Sequence, residues 1–162
     1  MIIRTARIGD APVVAEIWNH NICHTANTFT TIEKTVDGLA EDIVTRQAEG
    51  RAFLVAEMAG QVVGFTTYFQ FRSGPGYAHT AEHTVMLDET TKGQGIGRIL
   101  VGAIEDHARQ ARIHTLIAGV SGENRDAIAF YEAIGYAQVA VMPELGRKFD
   151  RWMDLILLQK RL

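Results

Sequence analysis

The sequence predicts an α/β protein of the α+β kind: one mixed, mostly antiparallel, twisted sheet of about seven strands, with four helices packed on it. Three observations lead there. Phe53 to Met58 and Gln61 to Phe71 read as the arms of a hairpin around Ala59-Gly60, and residues 78–87 add a third strand in succession. The end of that strand runs through a glycine-rich turn into an amphipathic helix, and His114 to Val120 then reads as a buried strand. Strand, helix, strand is a crossover, which gives a parallel pair, so the sheet mixes both strand relations.

The remaining elements follow in order. Residues 2–7 form a short strand. Asp10 caps a helix that tolerates Pro12 in its first turn and carries Val13, Val14, Ile17 and Trp18 as its apolar stripe. Thr35 caps a second helix with Val36, Leu39 and Ile43 on one face, ended by Gly50. In the second arm of the hairpin, Val63, Phe65, Thr67, Phe69 and Phe71 share a face by period two. Ser73-Gly74-Pro75-Gly76 is a loop. Ile96, Ile99, Leu100, Ala103, Ile104 and His107 recur at helical spacing after the glycine turn. Asn124 caps a short helix that turns Ala127, Ile128, Tyr131 and Ile134 inward and stops at Gly135. Two strands, near 136–142 and 151–159, close the order β-α-α-β-β-β-α-β-α-β-β.

With 162 residues, the chain fits one domain over 1–162. A hydrophobic fraction of 47% and a charged fraction of 22% are ordinary for a globular protein. The net charge of -3, with scattered basic residues, gives no footprint for nucleic acid or an anionic membrane. Cys23 is the sole cysteine, so no intrachain disulfide forms; this fits a reducing cytoplasm. The start, Met1-Ile2-Ile3-Arg4-Thr5, is unlike a signal segment, and no apolar run approaches the ~20 residues of a membrane span.

The functional signal lies between Val85 and Arg98. An apolar strand enters Lys92-Gly93-Gln94-Gly95-Ile96-Gly97, and the helix starts there. Glycines leave backbone N–H groups unobstructed at a helix N-terminus, where free donors and the helix dipole attract phosphate. The Gly-Lys-Ser/Thr ending of a P-loop is missing. A dinucleotide fingerprint needs a glycine where Arg98 stands.

This turn, together with Asn124 and Phe130-Tyr131-Glu132-Ala133-Ile134-Gly135-Tyr136, resembles the GCN5-related N-acetyltransferase (GNAT) family. In that family an arginine or glutamine, two residues, glycine, one residue and glycine hold the pyrophosphate of acetyl-CoA. Here Lys92 stands at the first position, followed by Gly95 and Gly97. Ile17-Trp18-Asn19, Thr25 to Thr31, Tyr77 to Val85 and Gly146 to Asp154 resemble the phosphinothricin and methionine sulfoximine acetyltransferases within it. The resemblance implies the GNAT fold, acetyl-CoA as acetyl donor with no metal, and acetylation of the α-amino group of a small glutamate-like amino acid. It also implies a homodimer.

Acetyl transfer from a thioester to an amine requires a neutral amine, a stabilised oxyanion and a protonated leaving thiolate. Glu82 is the candidate general base. It precedes the cofactor turn, partial burial would raise its pKa, and the subfamily has a glutamate at the matching place. The resemblance implies that the backbone of Val85, Met86 and Leu87 pairs with the pantetheine arm where this strand splays from the next, and that a main-chain N–H there serves the oxyanion. It assigns the pyrophosphate to Lys92, Gly93, Gln94, Gly95, Ile96, Gly97 and Arg98, a cofactor contact to Asn124, and the general acid to Tyr131, where the subfamily often has histidine.

Arg72, with the adjoining Ser73 and Gly74, is the expected grip on the acceptor's carboxylate. Lys148 is a second candidate cation. His83 and Thr84 flank the base at the substrate end, and Phe29, Tyr77 and Trp152 are candidates for an apolar wall. His20, Cys23 and His24 share a helix face as metal ligands can, but no fourth ligand is near. Two other readings stay open: an acceptor that is a polyamine or protein N-terminus, and a non-catalytic acyl-CoA-binding module.

Overall fold

The element order is the predicted one. The computed structural model describes all residues, Met1–Leu162. Its strands are β1 (Ile2–Thr5), β2 (Phe53–Met58), β3 (Gln61–Gln70), β4 (Thr80–Leu87), β5 (Thr115–Ser121), β6 (Ala137–Lys148) and β7 (Arg151–Arg161). Its helices are α1 (Ala11–His24), α2 (Val36–Ala48), α3 (Ile96–Gln110) and α4 (Arg125–Ala133). The seven strands form one sheet in the order β1-β2-β3-β4-β5-β7-β6. Only β4 and β5 run parallel, joined by the α3 crossover. No helix is long and apolar enough to cross a membrane.

The helices cover both faces of the sheet. Val14, Ile17, Trp18 and Ile22 of α1, with Leu39 and Ile43 of α2, pack on Phe53, Val55 and Phe65. On the other face, Val101, Ile104 and Ala108 of α3 and Ile128 and Tyr131 of α4 pack on Tyr68, Leu116 and Leu158. β3 is therefore buried on both sides, and its polar Thr66 and Thr67 are as inaccessible as Phe65.

Several local expectations change. The shared face from Val63 to Phe71 is broken. A register shift opposite Ala56/Glu57 sends Val63 to Ile96 and Leu100, whereas Phe65 packs with Trp18. Ile99 leaves the α3 stripe and stands 45% exposed. Asp10 does not cap α1 with its side chain. Its carboxylate accepts from the Arg7 backbone at 2.7 Å and pairs with Arg4, which holds it below the usual carboxylate range. Thr35 and Asn124 do cap, accepting from Gly38 and Ala127 at 3.1 Å each. β6 runs on past Pro143 to Lys148 through an irregular stretch at Met142/Gly146. As an edge strand it has no outer ladder for the proline to interrupt.

Candidate active site

The sheet splits at Glu82. β4 and β5 pair at Thr80↔Thr115, Ala81↔Leu116 and Glu82↔Ile117, and no further. Beyond that point β4 stays with β3 as far as Gly64↔Leu87, and β5 stays with β7 as far as Ser121↔Leu155. The two strands are held apart by their outer partners. A cavity of about 950 Å³ opens between them, bordered by Val85, Met86 and Leu87 on one strand and Gly119 to Ser121 on the other. The facing edge of β4 is free to pair with an extended ligand as a strand would.

The glycine turn stands at one end of this cavity. Gly93 and Gly95 have φ of 77° and 80°, in the left-handed region where a side chain would be strained. Upstream, the Asp88 carboxylate accepts from the Thr90 backbone at 2.8 Å, and buried Thr91 donates to the Asp88 carbonyl at 2.9 Å. The first intrahelical bond of α3 runs from the Ile99 N–H to the Gly95 carbonyl at 3.4 Å, so the N–H groups of Ile96, Gly97 and Arg98 have no helical partner. Free main-chain donors at a helix start suit a phosphate. Lys92 lines the cavity but its ammonium pairs with exposed Glu89 at 3.0 Å. The Gln94 side chain turns back to the Thr90 carbonyl at 3.3 Å and does not line the cavity.

Glu82 lies at the branch point. Burial alone raises its carboxyl above the usual range, with no cation to offset it. Its carboxylate lies across Gly119 on β5, where an added methyl would come within 2.8 Å of Oε1. A second cavity of about 350 Å³ opens beside it, lined by Phe71, Arg72, Tyr77 and Glu82 together with Met142, Leu155 and Leu157. Glu82 and Leu155 belong to both cavities. One opening thus ends at free main-chain donors, the other at an arginine, and a partly buried carboxylate joins them.

Alternation along β4 sends His83 to the opposite face. It is 4% exposed, its Nε2 lies 3.0 Å from Tyr131 Oη, and the Tyr136 ring meets it edge-on at 5.6 Å. Burial pulls His83 down to about 4 and pushes the Tyr131 phenol upward, so both are neutral near pH 7. Tyr131 and Asn124 line the large cavity from α4, the latter from its cap position.

Of the residues expected near the acceptor, Arg72, Glu82 and Thr84 line a cavity. His83 also borders one, yet its ring is spent on Tyr131 rather than on the substrate end. Ser73 and Gly74 sit exposed in the turn and line neither cavity. Lys148, the second candidate cation, lines neither cavity. It is buried, and its ammonium donates to the carbonyls of Thr25 and Thr28 at 2.7 and 2.9 Å. It tethers the loop whose Phe29 lies over Gly146 and borders the large cavity. Trp152 is 57% exposed and belongs to no wall, whereas Phe29 and Tyr77 do line cavities. His20 is engaged by Glu89 at 3.0 Å rather than by Cys23.

Met142, Leu155 and Leu157 were not anticipated. They reach the site because β7 lies between β5 and β6, an order that local periodicity does not carry.

A split sheet, free main-chain donors at a helix start and a carboxylate at the split make a site suited to acyl transfer from a phosphorylated thioester. A family model described as "Acetyltransferase (GNAT) domain" matches residues 3–157. The chain belongs to the GNAT family of acetyltransferases, and is an N-acetyltransferase. It is 34% identical over 162 residues to the Escherichia coli protein named L-amino acid N-acyltransferase MnaT, covering 100% of this chain and 94% of that one. A Salmonella typhimurium protein named L-methionine sulfoximine/L-methionine sulfone acetyltransferase is also 34% identical, with 100% and 95% covered. Among solved structures, a Salmonella typhimurium acetyltransferase with its cofactor acetyl-CoA superposes with a TM-score of 0.97 at 34% identity, covering 100% of this chain and 94% of that one. A Brucella melitensis structure named ribosomal-protein-alanine N-acetyltransferase gives 0.97 at 33% identity with 100% of both chains covered.

Proposed function

We propose that the protein transfers acetyl from acetyl-CoA to the α-amino group of a small glutamate-like amino acid, such as methionine sulfoximine or phosphinothricin, by direct attack with Glu82 as general base. The observation that carries this reading is the place of Glu82, the one ionisable group common to the donor-side and acceptor-side cavities. The names of the Escherichia coli and Salmonella typhimurium relatives support the acceptor class.

The N–H groups of Ile96, Gly97 and Arg98 hold the pyrophosphate, and the free edge of Val85 to Leu87 aligns the pantetheine. Arg72 holds the acceptor's α-carboxylate, which brings its amine to Glu82. Deprotonating an α-ammonium costs on the order of 1.4 kcal/mol for each pH unit by which its pKa exceeds the ambient pH, so a single carboxylate suffices. The nitrogen attacks the thioester carbon, a main-chain N–H of β4 stabilises the oxyanion, and the C–S bond breaks with its electron pair on sulfur. Tyr131 donates the proton that completes the thiol. No step uses a metal.

The Brucella melitensis relative keeps a protein N-terminus as the alternative acceptor. Such a terminus has an α-amine but no free α-carboxylate for Arg72, and a polyamine has none either. The test is release of CoA thiol from acetyl-CoA with an amine panel. Free amino acids, methionine sulfoximine foremost, are expected to turn over, and their α-amides to fall far behind. Equal rates with the amides would favour the protein N-terminus, and acetyl-CoA binding without turnover on any amine would leave a binding module.

The reading includes a homodimer. Edge strand β6 exposes Val139, Val141 and Leu145, apolar side chains that a second copy would cover. A monomeric mass by light scattering would remove this part and leave the chemistry standing.

A further inference from the structure

We infer that His83 is a positioning residue for Tyr131: its Nε2–H donates to the phenol oxygen and so leaves the phenol proton free for the departing CoA thiolate. This rests on Tyr131 acting as general acid in the reading above.

The geometry sets the choice of tautomer. His83 Nε2 and Tyr131 Oη are 3.0 Å apart within a buried aromatic cluster, and Tyr131 borders the donor-side cavity. A neutral imidazole carries one N–H, and which nitrogen bears it follows from the partners available. Nδ1 is buried with no protein acceptor in reach. A proton there would be a donor with nothing to receive it, a costlier defect than an unused lone pair. The proton therefore sits on Nε2 and points at the phenol oxygen. The tyrosine O–H is then not consumed by the histidine.

The chemistry needs this arrangement. A thiol is a stronger acid than a phenol, with ordinary pKa values near ~8.5 and ~10, so tyrosine is a reluctant donor to a thiolate. Burial makes it more reluctant. A donor fixed on the phenol oxygen opposes that, because it holds the phenolate more strongly than the phenol. In the step itself, the electron pair of the C–S bond goes to sulfur, and the Tyr131 proton follows it. The phenolate left behind is held by Nε2–H and regains a proton from solvent. Nitrogen enters as an ammonium and gives up two protons, each taken by Glu82 and passed to solvent, so the balance is one thioester and one ammonium to one amide, one thiol and one proton. His83 holds its own proton throughout and acts as a fixed donor.

Four variants test this: Tyr131→Phe, His83→Phe, the double variant, and His83→Gln. Phenylalanine keeps the ring that packs on Tyr136, while glutamine offers an amide N–H at nearly the reach of Nε2. Tyr131→Phe is expected to lower kcat about 100-fold, and failure of that arm alone removes the general acid and this inference with it. His83→Phe is expected to lower kcat about tenfold with the KM of acetyl-CoA unchanged, and to have no further effect on top of Tyr131→Phe. His83→Gln should recover most of the loss. The defect of His83→Phe should also shrink with an acetyl thioester of a more acidic thiol. Equal loss from His83→Phe in both backgrounds would overturn the inference by making His83 merely structural, while the Tyr131 arm still stands. A His83→Gln variant as slow as His83→Phe would overturn it too, as would a loss confined to KM. If His83→Phe does not fold, His83→Gln and the thioester series decide.

Discussion

The two cavities that meet at Glu82 are built from different materials. The donor side is main chain: two left-handed glycines, the unpaired N–H groups that open α3, and the free edge of β4. The acceptor side is side chains from scattered elements: Arg72 after β3, Met142 on β6, Leu155 and Leu157 on β7. Backbone recognition tolerates a change of side chain, because the atoms that bind belong to every residue. Side-chain recognition does not, so a single substitution there can redirect the acceptor. The same contrast explains why Lys92 can stand where arginine or glutamine is usual: its ammonium is engaged by Glu89, and the main-chain donors beside it are free.

Perturbing the junction should have the largest effect. Gly119→Ala places a methyl where the Glu82 carboxylate lies, while the flexible side chain can move aside without unfolding the sheet. Turnover is expected to fall about 100-fold, with the thermal midpoint and acetyl-CoA KM near wild type. Unchanged turnover would mean that the carboxylate is not needed at that spot. Arg72→Gln is next. Losing a charge-assisted grip on one carboxylate should raise the acceptor KM about 30-fold and leave acetyl-CoA KM alone. A loss in both constants would break the division between the two sides. Lys92→Ala should do least, no more than about threefold on acetyl-CoA KM, since its exposed ion pair contributes little. A tenfold rise would show that the turn depends on that side chain after all.

The two sides were also unequally legible in the sequence. The glycine turn is local: strand, Gly95, Gly97 and helix follow one another, and the spacing carries the geometry. Glu82 was singled out by the resemblance, since its place ahead of that turn fits a paired or solvated carboxylate better. The acceptor wall could not, because Met142, Leu155 and Leu157 depend on β7 lying between β5 and β6. Lys148 reads as a lone surface lysine for a related reason, yet it is buried. Its ammonium is satisfied by two carbonyls more than a hundred residues away, Thr25 and Thr28, and no local pattern marks such a partner. Ser73 and Gly74 were drawn in by adjacency to Arg72, but the chain turns outward there into an exposed loop. On β6, Pro143 reads as a break until the strand is known to be an edge.

The central claim is that Glu82 removes the amine proton. Burial raises its carboxyl, so the base form is lost as pH falls through that raised value and is fully present above it. Wild type can use the protonated amine over that whole range. Glu82→Gln can use only the fraction already neutral, which grows about tenfold per pH unit below the amine's own pKa. The decisive measurement is kcat/KM for methionine sulfoximine from pH 6 to 9 in both proteins. The ratio of wild type to Glu82→Gln is expected to be about 100 or more near pH 6.5 and to shrink steadily toward pH 9. A ratio near one at every pH would contradict the account.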